Sequence, residues 1–278
     1  MSEPESGAAA GRPHPHAHPA YTPRPGRFVW HDLVTREAEV AQPFYEELFG
    51  WVVTPLDMGT TIYRALTVNG KSVGGIVQEP NLPEGVPSHW VCYVLVEDLD
   101  ACVARGTEAG GAVLVPPHPI PGKGRFAMVK DPVGAVLALL ELDAVEEVPA
   151  DWHTRSGSFC WDELHSSDVE RATAWSGATL GWEWNPHDMG PMGTYWLVME
   201  DGKDHAGAMN LPAGVEAPSA WMPYVAVDDV DGFHARALEL GGSCWVPPAD
   251  IPGVGRFAVL ADPTGGTFAI HRASKDAC

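Results

Sequence analysis

Positive charge is scarce in this sequence: 17 Lys and Arg stand against 37 Asp and Glu, for a formal net charge of −20 and a pI near 4.8. A chain of that balance has no broad basic surface with which to neutralise a phosphate backbone, which argues against nucleic acid as a partner and against anionic membrane surfaces too. No stretch approaches the roughly 18 uninterrupted apolar residues of a membrane span, and the N-terminus lacks the basic-then-apolar order of a signal peptide. A cytoplasmic location is the expectation. The five cysteines are odd in number and contain no CxxC pair, so reduced thiols are expected.

Residues 1–26 are rich in Pro, Ala and Gly, show no helix or strand periodicity, and read as a flexible tail. His14, His16 and His18 lie there without a rigid frame to fix metal geometry. The remainder, at 45% hydrophobic content over a 278-residue chain, is enough for two domains with full cores.

What the sequence does have is self-similarity. At an offset of 131 residues Trp30 answers to Trp161, Gly50-Trp51 to Gly181-Trp182, Trp90 to Trp221, and IPGKGRFAMVKDPVG to IPGVGRFAVLADPTG. In mid-unit the offset is 132, as Tyr63/Tyr195 and Gly70-Lys71/Gly202-Lys203 show, and it returns to 131 by Pro87/Pro218. The chain is a tandem duplication. Units of 27–142 and 154–273 are expected, joined by an acidic linker over 143–153.

Within unit one, FVWHDLVT alternates as a half-buried strand and AEVAQPFYEELFG has helical spacing before a glycine stop. Three extended segments follow, with Asn69-Gly70 a favoured hairpin turn between two of them. The order βαβββ then repeats from HWVCYVLVED onward, so the chain holds four such modules. Paired βαβββ modules, the helix-to-strand junction Phe44, Tyr45, Leu48, Phe49, Gly50, Trp51 and the DP.G hairpin before the last strand together resemble the vicinal-oxygen-chelate superfamily of glyoxalases, bleomycin-resistance proteins and dioxygenases. The string W..L…GW…DP.G, present twice, is most similar to its two-domain CFP30B-like subgroup, often labelled as hydroxylases. The resemblance covers about residues 27–273. It implies an α+β fold, with the four modules forming curved mixed sheets around clefts, and a small-molecule ligand.

Metal-dependent members of that superfamily hold a cation with His, Gln or Glu on the first and last strands of the modules. Carried over residue by residue, those positions fall on Trp30, near Val91 and on Ala138 in unit one, and on Trp161, near Met222 and on Ala269 in unit two. None suits a divalent cation of this kind. No metal site and no cofactor are therefore expected. A divalent metal stays as the alternative if a strand register slips by a residue or two, which would bring up His31, His89, Glu141 or His271.

Side chains two apart in a strand share a face, so Trp30 with Asp32 and Trp161 with Glu163 each pair an aromatic wall with a carboxylate. Such a pocket suits a planar organic ligand and, through desolvation, general-base use of the carboxylate. Packing tryptophans beside turn-capping carboxylates is the plainer alternative. Asp32, Glu163 and His31 are the catalytic candidates; Trp30, Trp161, Tyr63, Tyr195, Trp90, Trp221, Arg125 and Arg256 are the substrate-binding candidates. Of the pairs Trp90/Tyr93 and Trp221/Tyr224, one member is expected to line the cleft and the other to pack under a helix. Arg125 and Arg256 could anchor a ligand carboxylate or ketone, or tether a hairpin to an acidic partner. His165, His187 and His205 are unmatched between units and could mark a site special to unit two.

These residues point to a monomeric or homodimeric enzyme that performs acid/base chemistry on a hydrophobic or aromatic metabolite, of isomerase, lyase or hydroxylase type. Two other readings stay open: a sequestering protein that holds a cationic drug in an acidic cleft, and a metal-dependent dioxygenase or lyase with displaced ligands.

Overall fold

The computed structural model describes residues 20–274 apart from 60, 191–192 and 201–202. His14, His16 and His18 lie outside the described residues. Of the expected 1–26 tail, the described part is anchored: Tyr21 bridges Val148, and the Gly26 amide donates to the Leu95 carbonyl.

Unit one runs β1 (Phe28–Thr35), α1 (Ala38–Phe49), β2 (Val52–Asp57), β3 (Ile62–Val68), β4 (Lys71–Gln78), β5 (His89–Leu95), α2 (Leu99–Glu108), β6 (Ala112–Ile120), β7 (Gly124–Lys130) and β8 (Val136–Leu142). Unit two repeats the order as β9 (Phe159–Ser166), α3 (Val169–Leu180), β10 (Trp184–Asp188), β11 (Thr194–Glu200), β12 (Lys203–Asn210), β13 (Ala220–Ala226), α4 (Val230–Glu239), β14 (Ser243–Ile251), β15 (Gly255–Ala261) and β16 (Thr267–Ala273). Each unit is one mixed eight-stranded sheet, β2-β3-β4-β1-β5-β8-β7-β6 and β10-β11-β12-β9-β13-β16-β15-β14. Modules therefore pair in chain order, through the antiparallel seams β1·β5 and β9·β13.

Local chemistry places the boundaries. Helices α1 and α3 end on Gly50 and Gly181 in the left-handed conformation that glycine adopts without a Cβ penalty. The Asp98 and Asp168 side chains accept from backbone amides in the first turns of α2 and α3. In the DP.G turns, Asp131 Oδ1 accepts from the amides of Val133, Gly134 and Ala135, and Asp262 Oδ1 does the same for Thr264 and Gly266.

The helices pack on their own sheets and also meet across the units, α2 against α3 and α1 against α4. One core joins the first module to the fourth: Leu33, Tyr45, Phe49, Trp51 and Trp90 meet Val225, Leu260, Phe268 and Ile270. The other joins the second to the third, with Cys92, Leu99, Leu137 and Leu139 against Leu164, Val169, Trp175 and Trp182. Two indoles tie these cores reciprocally. Trp51 Nε1 donates to the Gly157 carbonyl at 2.8 Å, and its repeat counterpart Trp182 donates to Gly26, the counterpart of Gly157, at 2.9 Å. The segment expected as a linker also takes part, because Trp152 is buried in the first core. Each sheet thus turns one face to its sister unit and leaves the other free.

Candidate functional site

The pleat decides which side chains reach each free face. On β1, His31 and Leu33 point into the packing between units, and Trp30 and Asp32 point away from it. Tyr93 lies opposite Trp30 on β5, so it shares that face. Tyr63 reaches it from β3 by lying across β4 at Gly75, where an added Cβ would come within 2.0 Å of the phenol oxygen.

Three donors converge on Asp32. Trp30 Nε1 (2.9 Å) and Tyr63 Oη (2.7 Å) donate to Oδ1, and Tyr93 Oη (2.8 Å) donates to Oδ2. The Trp30 indole also lies 2.9 Å from Tyr63 Oη. Burial outweighs these bonds and raises the Asp32 pKa above the ordinary carboxylate value. Burial and the neighbouring carboxylate push the Tyr63 and Tyr93 phenols upward, so both remain donors.

Unit two builds the same cluster with one more methylene and one more ring. Tyr195 Oη donates to Glu163 Oε2 (2.5 Å), Tyr224 Oη to Oε1 (2.8 Å), and Trp161 Nε1 to Tyr195 (3.1 Å). Gly207 makes room for the Tyr195 phenol as Gly75 does for Tyr63, again at 2.0 Å from a hypothetical Cβ. His165, two residues beyond Glu163 on β9, puts Nε2 2.7 Å from Oε1, off the line of a good hydrogen bond but within ion-pairing range. Burial again raises the carboxyl pKa, yet His165, Tyr195 and Tyr224 together outweigh it and bring Glu163 below its usual value.

The structure therefore brings together Asp32, Trp30 and Tyr63 in one cluster and Glu163, Trp161 and Tyr195 in the other. The remaining candidates sit elsewhere. His31 is on the opposite side of β1 from Asp32, stacked on Phe159 at 3.9 Å and bonded through Nε2 to Asp162 Oδ1 at 2.9 Å. Trp90 and Trp221 belong to the cores between units, since β5 and β13 turn Tyr93 and Tyr224 to the free face instead. Arg125 is engaged by Asp100 and Glu141, and Arg256 by Asp231 and Asp250, as tethers of exposed hairpins. Tyr93 and Tyr224 are the site residues that the sequence left as one of two choices. Gly75 and Gly207 carried no signal except their place in the repeat.

The positions of the superfamily's metal ligands fall in these clusters. Val91 is the cross-strand partner of Asp32 and Ala138 that of Tyr93; Met222 and Ala269 repeat this beside Glu163 and Tyr224. The unit-one cluster offers one carboxylate with its phenols turned toward it, and the unit-two cluster adds one imidazole, His165; neither brings together the three or more N, O or S donors that a divalent cation seeks. His31, His89, Glu141 and His271 do not converge: His89 is bonded to the Pro87 carbonyl, Glu141 is held by Arg125, and His271 lies on β16 of the other unit. Among the described residues, only His31, Cys92 and Asp162 bring three metal-capable groups together. There His31 Nε2 is hydrogen-bonded to Asp162 Oδ1, and the three buried groups, with ligand atoms within 4.8 Å of one another, are a set that could hold an ion.

A hollow of about 640 Å³ opens elsewhere, between α2 and the end of α3, lined by Pro25, Leu95, Cys102, Arg105 and Leu180. Its two side-chain donors, the weak Cys102 thiol and the Arg105 guanidinium, are both committed to the Thr179 carbonyl.

Comparison with known proteins agrees with this architecture. Residues 27–139 match the profile of the Glyoxalase/Bleomycin resistance protein/Dioxygenase superfamily, and residues 158–271 match that of a Glyoxalase-like domain. CFP32 of Mycobacterium tuberculosis, carried under a glyoxylase name, is 35% identical over 250 residues, 89% of this chain and 95% of that protein. The anthracycline biosynthesis protein DnrV of Streptomyces peucetius is 33% identical over 260 residues, 88% of this chain and 93% of that protein. At the level of fold, the Mn(II)-bound glyoxalase of Novosphingobium aromaticivorans superposes with a TM-score of 0.62 at 14% identity, covering 90% of this chain and 82% of its own. The 2,2',3-trihydroxybiphenyl 1,2-dioxygenase of Sphingomonas wittichii gives 0.64 at 12%, covering 90% and 91%. Two profile matches spanning most of the chain, with a relative 35% identical over 89% of it, place this chain in the Glyoxalase/Bleomycin resistance protein/Dioxygenase superfamily.

Proposed function

We propose that the chain is a small-molecule enzyme that moves protons on a planar, hydrophobic ligand, using a carboxylate where its metal-dependent relatives use a cation. The observation that carries this reading is the pair of clusters: a desolvated carboxylate, gripped by two phenols and flanked by a half-buried tryptophan, occurs on the free face of both sheets. A carboxylate held by phenols at the ligand face is positioned to abstract a proton, and a phenol released from it can donate to an oxygen on which charge develops. The indole supplies a wall for an aromatic ring. Two relatives carry the name of anthracycline biosynthesis, and anthracyclines are polycyclic aromatic ketones of suitable shape and chemistry.

An anthracycline in deuterated buffer is the test. Saturable quenching of tryptophan fluorescence, weakened about tenfold by Trp30→Leu plus Trp161→Leu, together with enzyme-dependent uptake of deuterium by the ligand, is the expected result. Binding without any exchange would leave sequestration as the activity and overturn the catalytic reading.

A further inference from the structure

The two free faces do not carry the same ionisable groups. Unit two has His165, His187 and His271 at the repeat positions where unit one has Val34, Leu56 and Leu140. Pairing places all three on the face of Glu163: His165 is two residues along the same strand, His187 lies opposite Tyr195, and His271 lies two residues beyond Ala269, the partner of Tyr224. Unit one has histidines of its own on that face, His89 and His118, where unit two has Ala220 and Ala249. Nδ1 of His89 is spent on the Pro87 carbonyl, and His118 packs on Phe126. Of these five rings, His165 is the one in contact with the cluster's carboxylate. Its Nε2 is buried and has no other partner among the described residues.

We infer that the two units have divided the work: unit two transfers protons through Glu163 with His165 behind it, and unit one binds the same class of ligand without turning it over. This rests on the acid/base reading above. Glu163 removes a proton from a carbon next to the ligand's ketone; the C–H bond breaks, an O–H bond forms on Glu163, and the electron pair stays on the ligand as an enolate. Tyr195, freed from the neutralised carboxyl, turns its hydroxyl to the enolate oxygen. His165 Nε2 takes the proton from Glu163 and returns it through Glu163 to the carbon or to a conjugated position. The net change is exchange or isomerisation, with no oxidant or reductant consumed. Unit one has no ring behind Asp32, where Val34 stands at the place of His165.

The measurement is deuterium uptake by an anthracycline, read by mass spectrometry with the full chain, alongside its dissociation constant and the thermal midpoint of each variant. Glu163→Gln and His165→Ala should each slow exchange by about 100-fold, the scale of a lost acid/base group, with affinity held within about twofold. Arg236→Ala, at an exposed ion pair outside both clusters, should leave exchange within about threefold. Free imidazole should restore exchange to His165→Ala in a saturable way, which a purely structural histidine would not allow. Loss of exchange in Asp32→Asn but not in the unit-two variants would overturn the division of labour and leave the acid/base reading standing. Absence of exchange in the unaltered protein would overturn both.

Discussion

Asp32 and Glu163 occupy the same position of the repeat, each accepts from a corresponding pair of tyrosines, and their pKa values are shifted in opposite directions. Burial dominates at Asp32 and raises its pKa; at Glu163 burial is outweighed by an imidazole and two phenols, and its pKa falls. The strands share one register, and beside the longer Glu163 side chain the largest change is two residues along the strand, where Val34 is answered by His165, the first cause of the lowered Glu163 pKa. A fold can thus hold the geometry of a site constant and change its chemistry by substituting a neighbour of the reacting group. Carboxylates whose environments push their pKa values apart are the usual mark of distinct acid and base roles.

The comparison presumes that the units share their cores, and the severest challenge is to part them. Residues 27–142 expressed alone should give no cooperative unfolding transition by circular dichroism, since both cores draw half their side chains from the other unit. A sharp transition from that fragment would show that each sheet is self-sufficient. Next in size, His31→Asp should destabilise the whole chain by about 3–5 kcal/mol by denaturant unfolding, because it sets two buried carboxyl groups against each other in place of the imidazole that bonds Asp162. Adding Asp162→His should recover most of the loss. Gly75→Ala and Gly207→Ala should cost about 1–3 kcal/mol each, and equally, because the added methyls strike corresponding phenols, Tyr63 and Tyr195, at the same distance; unequal costs would mean that the two clusters are not built alike.

The carboxylates separate the units by sign. A raised folded-state pKa means that the Asp32 contribution to stability is full below the unfolded value of 3.8 and is lost as pH rises through the folded pKa. Asp32→Asn should therefore raise the thermal midpoint at neutral pH by the equivalent of about 1 kcal/mol. For Glu163 the contribution is present above the unfolded value of 4.5 and is lost as pH falls through the lower folded pKa. Glu163→Gln should lower the midpoint at neutral pH by a similar amount, and the deficit should shrink in acid. The same sign for both variants would erase the distinction. Smallest of all, Arg125→Ala and Arg256→Ala should shift stability by no more than about 1 kcal/mol and leave ligand binding unchanged, as exposed tethers do.

Much of this was legible in the sequence because it is local or periodic. The duplication, the four modules and the Trp-carboxylate adjacency follow from the 131-residue offset and the two-residue period of a strand. Trp90 and Tyr93 show where that reading stops. Three residues apart, they must face opposite ways, but only the register of β5 on β1, Trp30 against Tyr93, says which one is turned outward. His31 beside Asp32 looked like part of a site, and its actual partner is 131 residues away on another sheet. Packing of α1 against the fourth module likewise leaves no periodic trace, because an apolar helix face does not encode which apolar surface covers it.

That separation of 131 residues is also the length of the repeat, so His31 and Asp162 are one position seen twice. Two copies related by a twofold rotation bring any residue on the axis against its own image. In a dimer of identical repeats the contact would be acid on acid or base on base, and neither supplies both a donor and an ionised acceptor at neutral pH. Joining the copies in one chain removed that constraint and let the axis carry an acid opposite a base. Having done so, the halves ceased to be interchangeable: two first units would now bury a pair of imidazoles where one His–Asp hydrogen bond stood, and two second units a pair of carboxylates. The fusion of the repeat is thereby made hard to reverse.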